Sequence, residues 1–242
     1  MPRQQRQFEE GGIYHVIKRG VDGRKIFLKS QDKHRFILGL EFCNSTEPTD
    51  LWTLLVGSDP TRTAKHVRLA ERLVKGREKH ETSLTEVLAF VLMPNHFHLI
   101  LREIKEGSIS QFMQKLGGYS TYFNKQYKRV GALFQSRFKA VHIKDDVQLD
   151  TVFAYVHTNP VELWEPNWKE CKVKDSREAI KKLGEYWASS YHEYIGKPKF
   201  SQVVARDFFL DFYGSEMKCK RAVEDWVQYK ASQAKFGTEI IE

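Results

Sequence analysis

The sequence predicts an α+β fold, in which a ferredoxin-like antiparallel sheet carries helices on one face and is followed by a helical C-terminal extension. Three observations lead to this prediction. Segments 13–19 and 138–144 are β-branched or aromatic, as in strands, and an apolar run before Pro94 turns back into a further strand. Segments with apolar residues at helical spacing separate these strands. The resulting order, βαββαβ followed by a helix, folds most economically as a ferredoxin-like sheet.

The first strand and the first helix are defined by composition and periodicity. The segment IYHVIKR at 13–19 stops at Gly20, and the turn VDGR follows it. Such an ending is typical of a strand that leaves a sheet. Residues 31–42 then place apolar side chains three and four positions apart, which indicates a helix.

The centre of the chain predicts a pair of adjacent strands. Residues 86–93, EVLAFVLM, form a continuous apolar run of strand length, which is typical of a buried strand. Pro94 and Asn95 interrupt this run, and residues 96–102, HFHLILR, form the second strand beside it.

Two further helices follow the central strands. Residues 108–128 have helical periodicity around an internal Gly-Gly pair, with Ser108 as the expected N-cap. The last helix of the predicted sheet domain begins at Asp145 and Asp146, because acidic residues suit the positive end of the helix dipole. It ends before the Asn-Pro pair at 159–160.

The predicted domain organisation has two parts. Residues 1–163 form the sheet domain, interrupted by an insertion at about 44–83 where turn-rich segments break the periodicity. Residues 164–242 form the helical C-terminal extension, with helices expected at 176–183, 201–212 and 217–234.

Composition and charge restrict the classes of function. No apolar run approaches the roughly 20 residues that span a bilayer, and the first residues lack the apolar stretch of a signal peptide, so we expect a cytoplasmic protein with no membrane partner. Three widely spaced cysteines suggest a reduced compartment and no cysteine-based zinc site. The net charge of +8 favours a polyanionic partner such as nucleic acid.

The segment PNHFHLI places two histidines two positions apart on a predicted strand. Residues i and i+2 of a strand point to the same face, with Cα atoms about 6.5–7 Å apart. His96 and His98 can therefore converge on one metal ion, while Phe97 points into the core. The alternative is that one histidine packs and the other is solvated, and spacing alone does not decide between them.

Two imidazoles leave a metal site incomplete, so a third ligand is expected elsewhere. The candidates are His15 on the first strand, His142 on the last strand, and Asn159 at the end of the following helix. Tyr155 and Asn159 are separated by four residues and share one face of that helix if it extends so far. In isolation, Tyr155 could equally be a core residue and Asn159 a helix cap.

Four motifs in this order resemble the single-tyrosine HUH transposases, specifically the REP-associated tyrosine transposases. They are GGIYHVIKRG, VLMPNHFHLIL, GALFQSRFKAV and AYVHTNPV, and the connector YWASSYHEYIG with the helical tail resembles the C-terminal region of the same family. The resemblance covers nearly the whole chain except the insertion at about 44–83. Several ordered motifs are specific, whereas His-Phe-His alone is not.

The resemblance implies roles for four residues. His96 and His98 correspond to the HUH pair and, with Asn159, would bind a divalent metal ion, Mg²⁺ or Mn²⁺. Tyr155 corresponds to the catalytic nucleophile, which attacks a DNA phosphodiester and forms a covalent 5′-phosphotyrosine. The bond energy is thereby kept for rejoining. The implied partner is single-stranded DNA with hairpins of repetitive palindromic elements, bound by a monomer or a homodimer.

Other tyrosines and several basic residues are further candidates. Tyr119, Tyr122 and Tyr127 also lie between the histidine pair and Tyr155, but only Tyr155 is followed by the Asn-Pro pair. A mixture of basic, amide and aromatic residues suits single-stranded DNA. The candidate DNA-binding residues are Arg19, Lys115, Lys125, Lys128, Arg129, Gln135, Arg137 and Lys139. The basic residues of the insertion, from Lys65 to Lys79, could contact DNA or form a solvated helix.

Three alternatives to a transposase stay open at this point. A replication initiator or relaxase would use the same chemistry, but the sequence has no helicase-like segment and no second paired tyrosine. A domesticated DNA-binding protein would bind hairpins without cutting them. A metal hydrolase with a His-x-His pair would form no covalent tyrosine adduct.

Overall fold

The computed structural model describes residues 7–47 and 83–238, with side chains as far as residue 233. A four-stranded antiparallel sheet has the strand order β2-β3-β1-β4. The strands are β1 (Ile13–Arg19), β2 (Thr85–Met93), β3 (His96–Glu103) and β4 (Lys139–Ile143). This is the order of a ferredoxin-like sheet, so the predicted fold class is confirmed.

The helices connect and flank the strands in the predicted sequence order. They are α1 (Ser30–Phe42), α2 (Ser108–Leu116), α3 (Tyr119–Gln126), α4 (Asp146–Thr158), α5 (Ser176–Glu185), α6 (Tyr191–Tyr194), α7 (Arg206–Tyr213) and α8 (Glu216–Thr238). Short 3-10 turns occur at Val21–Gly23, Asn159–Leu163 and Trp168–Glu170.

Helices cover both faces of the sheet, so the prediction that the helices lie on one face is wrong. Phe97 packs against Phe36 of α1, with ring centroids 4.7 Å apart, so α1 lies on the face that Phe97 enters. His98 points to the opposite face and contacts Tyr155 of α4. The helix that follows β4 therefore lies across the sheet from α1, which is where it can reach the histidines.

The segment predicted as one helix at 108–128 is two helices, α2 and α3, separated by Gly117 and Gly118. Ser108 is not the N-cap, because Gly107 occupies that position with a φ of 82°. The carboxylate of Glu103 instead accepts hydrogen bonds from the backbone N–H groups of Ser108 and Ile109, at 3.0 and 2.7 Å. A carboxylate from β3 thus satisfies the free N–H groups at the start of α2.

The C-terminal segment pairs with the edge of the sheet. The Leu92 N–H donates to the Ala188 carbonyl at 3.0 Å, and the Ser190 N–H donates to the Phe90 carbonyl at 2.9 Å. An unpaired edge strand is a template for aggregation, and these bonds cover the free side of β2. The predicted division between residues 163 and 164 stays a prediction, and residues on either side of it share one hydrophobic core.

Helix α4 is held between the sheet and the C-terminal helices. Phe153 is fully buried, and its ring lies 5.2 Å from Tyr194 and 4.4 Å from Phe209. His157, one turn further along, places its Nε2 2.8 Å from the Ser190 hydroxyl. The C-terminal helices therefore hold α4, the helix that carries Tyr155, against the sheet.

Most of the predicted insertion, including Lys65 and the basic residues that follow it, lies outside the described residues. Lys115 donates to the carbonyls of Ser45 and Glu47, where the described chain enters that segment. Within residues 7–47 and 83–238, no helix is long and apolar enough to cross a membrane.

Candidate active site

The strand β3 separates the two histidines from the phenylalanine between them. Phe97 is 1% exposed and packs against Phe36 and Phe134, so its predicted position in the core is confirmed. His96 and His98 share the other face, with ring centroids 4.9 Å apart and planes at 77°. Strand alternation alone thus brings the two imidazoles together.

His98 has one partnered and one unpartnered ring nitrogen. Its Nδ1 lies 2.9 Å from Nε2 of His15, which reaches it from the neighbouring strand β1. Its Nε2 is buried and has no hydrogen-bond partner within residues 7–47 and 83–233. An unpartnered buried polar atom costs free energy, and a bound ion or water is one explanation for such an atom.

His96 has a defined hydrogen bond on its inner side. Its Nδ1 lies 2.6 Å from Oδ1 of Asn95, and the Asn95 amide donates to the Gly23 carbonyl. Because a carbonyl oxygen only accepts, Nδ1 of His96 carries the proton and Nε2 of the neutral ring has the free lone pair. The Asn159 side chain also lies next to this imidazole.

Burial keeps all three imidazoles of the site uncharged. It lowers the pKa of His15 to about 4. It also lowers the pKa of His96 to about 4, with the charge of Arg19 acting in the same direction. The pKa of His98 is held well below its ordinary value, first by burial and then by His15 and His96. Neutral imidazole is the form that binds metal, and it is present here at pH 7.

Tyr155 faces the histidines from α4. Its ring lies 5.4 Å from His98 and 5.8 Å from His15, edge-on in both cases. It is 36% exposed, whereas most of its neighbours on the helix are buried. Asn159, one turn later, donates from Nδ2 to the Tyr155 carbonyl at 2.8 Å, and its side chain also forms a hydrogen bond with His96.

The competing tyrosines lie on the other face with their hydroxyls occupied. Tyr122 and Tyr127 both donate to the buried carboxylate of Asp32, at 3.1 and 2.8 Å, and Tyr119 donates to the Ile26 carbonyl at 2.7 Å. Burial, together with the charge of Asp32, raises the pKa of each of these three hydroxyls. None of the three is arranged to lose a proton and attack a phosphate.

The donor set fits a divalent cation that needs two nitrogens and an oxygen. Within the described residues, no group of three or more His, Cys, Asp or Glu side chains is placed to hold a metal ion. The candidate ligands beside Tyr155 are two imidazoles, those of His96 and His98, and the side-chain amide of Asn159. The unpartnered Nε2 of His98 is the specific observation that a cation would explain.

Two of the predicted DNA-binding residues lie directly beside the histidines. Arg19 is opposite His96 in the β1–β3 register, and Lys139 is opposite Ile17, which is itself opposite His98. Directly paired residues point to the same face, so both cations are on the histidine face, and both are exposed. The Gln135 N–H donates to the Arg19 carbonyl at 3.0 Å, which places this loop next to the site.

The other predicted DNA-binding residues lie outside the strand positions that Arg19 and Lys139 occupy. Arg129 donates to Asn124 Oδ1 and to the Ala132 carbonyl, so it supports the loop after α3. Lys125, Lys128 and Arg137 are exposed. Their roles in DNA binding stay predictions.

Sequence reasoning missed one charged pair at the site. Lys169 donates to Glu162 Oε1 at 2.8 Å, and the charges of both residues act on His96. Their only signal in the sequence is that they follow the Asn-Pro pair. Of the proposed third ligands, His142 lies on the opposite face, stacked on Tyr14 with ring centroids 4.7 Å apart. His15 contacts the pair from the side, through its hydrogen bond to His98.

Comparison with known proteins agrees with the motifs. The profile of the family described as "Transposase IS200 like" matches residues 65–159, which include both histidines, Tyr155 and Asn159. The match begins inside the segment that was expected to be an insertion. It confirms the resemblance to the single-tyrosine transposases over this part of the chain.

One solved structure is similar over most of its length. It is described as the structure of the REP-associated tyrosine transposase bound to a REP hairpin, and it aligns with a TM-score of 0.45 and 15% identity. The alignment covers 83% of this chain and 90% of that chain. No curated protein sequence matches this chain.

Proposed function

We propose that this protein is a metal-dependent DNA strand transferase, which cleaves and rejoins single-stranded DNA at hairpins through a covalent bond to Tyr155. The match of residues 65–159 to the IS200-like transposases supports a transposase function. The finer proposal rests on one observation. An exposed tyrosine lies edge-on to a buried histidine that has an unpartnered Nε2.

In the first step, the Tyr155 hydroxyl loses its proton and its oxygen attacks a DNA phosphorus. The new Tyr–O–P bond replaces the bond from phosphorus to the 3′ oxygen of the preceding nucleotide, and that oxygen takes up a proton as a free 3′-OH. The DNA downstream stays attached as a 5′-phosphotyrosine. In the second step a 3′-OH attacks the same phosphorus and releases the tyrosine.

His96, His98 and Asn159 would hold a divalent cation, Mg²⁺ or Mn²⁺. When bound, such a cation polarises a non-bridging phosphate oxygen and neutralises charge that develops in the transition state. The protein itself supplies the remaining requirements. Helix α4 presents Tyr155 over the histidines, and the buried His15 and His98 rings fix the tyrosine ring from one side.

We expect Arg19 and Lys139 to bind DNA phosphates near the scissile bond. They lie on the histidine face of β1 and β4 and are exposed, so they can exchange their counterions for DNA phosphates. Gln135 and Arg137 lie in the adjoining loop and are exposed, where amide and basic groups suit single-stranded DNA.

The test is the formation of a covalent protein–DNA adduct. Labelled single-stranded DNA with imperfect hairpins is incubated with the full chain and Mn²⁺ or Mg²⁺, then denatured and separated by electrophoresis. We expect a labelled band at the mass of the protein plus DNA with the wild type and with Tyr122→Phe. Tyr155→Phe should reduce the band to background, and chelation of the metal should do the same.

Each other result has a defined meaning. An adduct that persists in Tyr155→Phe makes Tyr155 the wrong nucleophile. Cleavage of the DNA without any adduct indicates a metal hydrolase. Binding of hairpins with neither cleavage nor adduct, on any hairpin tested, indicates a domesticated DNA-binding protein and overturns the proposal.

A further inference from the structure

We infer that His15 is a positioning residue, which holds His98 in the tautomer that leaves Nε2 free to bind the cation. The role of His15 depends on the proposed function, because it concerns a ligand of the proposed metal. The observation that carries it is the 2.9 Å contact between His15 Nε2 and His98 Nδ1, which is buried and joins β1 to β3 across 83 positions of sequence.

Two ring nitrogens of neutral imidazoles at this distance form one N–H···N hydrogen bond, in which only one of them carries a hydrogen. Either His98 donates from Nδ1 and His15 accepts, or His15 donates from Nε2 and His98 accepts. In the first case Nε2 of His98 has a lone pair. In the second case Nε2 carries a hydrogen and cannot bind a metal ion. The direction of this single hydrogen bond therefore decides whether His98 is a ligand.

The surroundings of His98 favour the first direction. Its Nε2 is buried and has no hydrogen-bond partner among the described residues, so an N–H there would have no acceptor in this part of the protein and could not bind a metal ion. A lone pair at the same place would be satisfied by a cation. Metal-binding histidines commonly donate their second N–H to a fixed acceptor, which sets the tautomer and the ring orientation.

His96 also has a hydrogen bond at Nδ1, but with a different acceptor. Nδ1 of His96 lies 2.6 Å from Oδ1 of Asn95, and that oxygen can only accept. Both members of the pair thus have their Nδ1 engaged from behind, by Asn95 in one case and by His15 in the other. Their Nε2 atoms are left for one shared ligand.

Packing alone does not account for His15. Its ring stacks on His98 at 5.1 Å and lies edge-on to Tyr155 at 5.8 Å, and a phenylalanine could make both contacts. What phenylalanine lacks is the acceptor nitrogen. His15→Phe therefore separates the hydrogen bond from the ring contacts, and His15→Gln restores an acceptor in a side chain of another shape.

The first measurement needs neither metal nor DNA. The ¹⁵N shifts of the histidine rings are recorded on the wild-type protein, with His98 assigned by its absence in His98→Asn. We expect a protonated Nδ1 and an unprotonated Nε2 for His98. A protonated Nε2 on His98 overturns the inference, whatever the outcome of the adduct assay.

The second measurement is the affinity for Mn²⁺ without DNA, by electron paramagnetic resonance of the free ion. We expect His15→Phe to bind about 10–100-fold more weakly than the wild type, as for other residues that orient metal ligands. His15→Gln should recover most of this loss. The matched control His142→Phe, which alters a histidine stacked on Tyr14 on the opposite face, should bind as the wild type does.

Equal Mn²⁺ affinity in His15→Phe and the wild type overturns the positioning role. The proposed function can fail separately. If the wild type forms no adduct with DNA, and His98 still has the expected tautomer, the transferase proposal is wrong while the role of His15 as a tautomer-fixing residue stands.

Discussion

Phe97 and His98 are neighbours on β3 and point to opposite faces of the sheet. The two faces differ in whether their polar side-chain groups have hydrogen-bond partners. On the Phe97 face, the hydroxyls of Tyr119, Tyr122 and Tyr127 are all occupied by acceptors within the protein. On the His98 face, Tyr155 is partly exposed and His98 Nε2 is buried without a partner. The first face is built for stability, and the second leaves groups free for a ligand.

The contrast explains why the same residue type has different chemistry on the two faces. A tyrosine hydroxyl that donates to a carboxylate in a buried setting holds its proton more firmly, and the pKa of Tyr122 and Tyr127 is raised accordingly. Of the four tyrosines considered as nucleophiles, three thus have their hydroxyls hydrogen-bonded within the protein, and Tyr155 is partly exposed.

The largest difference between the faces should appear in neighbouring alanine variants. Phe97→Ala removes a fully packed ring and should lower the free energy of unfolding by about 3–5 kcal/mol. His98→Ala also removes an unpartnered buried nitrogen and should cost only about 1–2 kcal/mol, but it should abolish Mn²⁺ binding. Urea denaturation and Mn²⁺ titration of both variants make the comparison. Equal stability losses would show that both faces are simply core.

Acidification should weaken the histidine face. The folded-state pKa values of His15 and His96, about 4, lie below the ordinary value of 6.5. The unfolded chain therefore binds more protons between pH 6.5 and 4, so stability falls as the pH falls through this window. Between pH 7 and 5 the loss should be roughly 2 kcal/mol for each histidine. Urea unfolding at pH 7, 6 and 5 measures it.

The control for this pH dependence is His15→Phe, which removes one of the buried histidines whose pKa is lowered. Its stability should fall less steeply with pH than that of the wild type. Identical slopes in the two proteins would mean that His15 titrates normally in the folded state.

Asp32 should matter for stability and not for the reaction. Its Oδ2 accepts from the backbone N–H groups of Leu28 and Lys29 and from Tyr127, while Oδ1 accepts from Tyr122. Asp32→Asn removes the charge and half of this acceptor capacity, so we expect a loss of about 2 kcal/mol in unfolding free energy. Adduct formation below the melting temperature should be unchanged. A specific loss of adduct formation would show that the two faces are coupled.

The smallest expected effects are on DNA binding, in variants that lack one basic side chain on either face of the sheet. Lys139→Ala and Arg19→Ala should each weaken single-stranded DNA binding a few-fold and reduce the slope of log K against log salt by about 1. Lys115→Ala should leave that slope unchanged, because its ammonium group donates to the carbonyls of Ser45 and Glu47. Fluorescence anisotropy at several salt concentrations tests all three. Equal slopes for all variants would place the DNA elsewhere.

The local features of the site could be predicted because they depend on short-range geometry. Strand alternation puts His96 and His98 on one face and Phe97 on the other, and the four-residue spacing puts Tyr155 above Asn159. The positions of the strands followed from composition for the same reason. The N-cap of α2 was predicted wrongly: Gly107 occupies that position, and the first N–H groups of the helix donate to the carboxylate of Glu103 on the preceding strand.

What the sequence determined by itself is the order of strands and helices and the alternation that pairs the two histidines. Only the tertiary structure decided which tyrosine is accessible, since Asp32 reaches Tyr122 across 90 positions. It also decided that His15 meets His98, and that residues 188–190 cover the edge of β2. These contacts join distant parts of the chain, and no local pattern encodes which hydroxyl or ring nitrogen will find a partner once the core has closed.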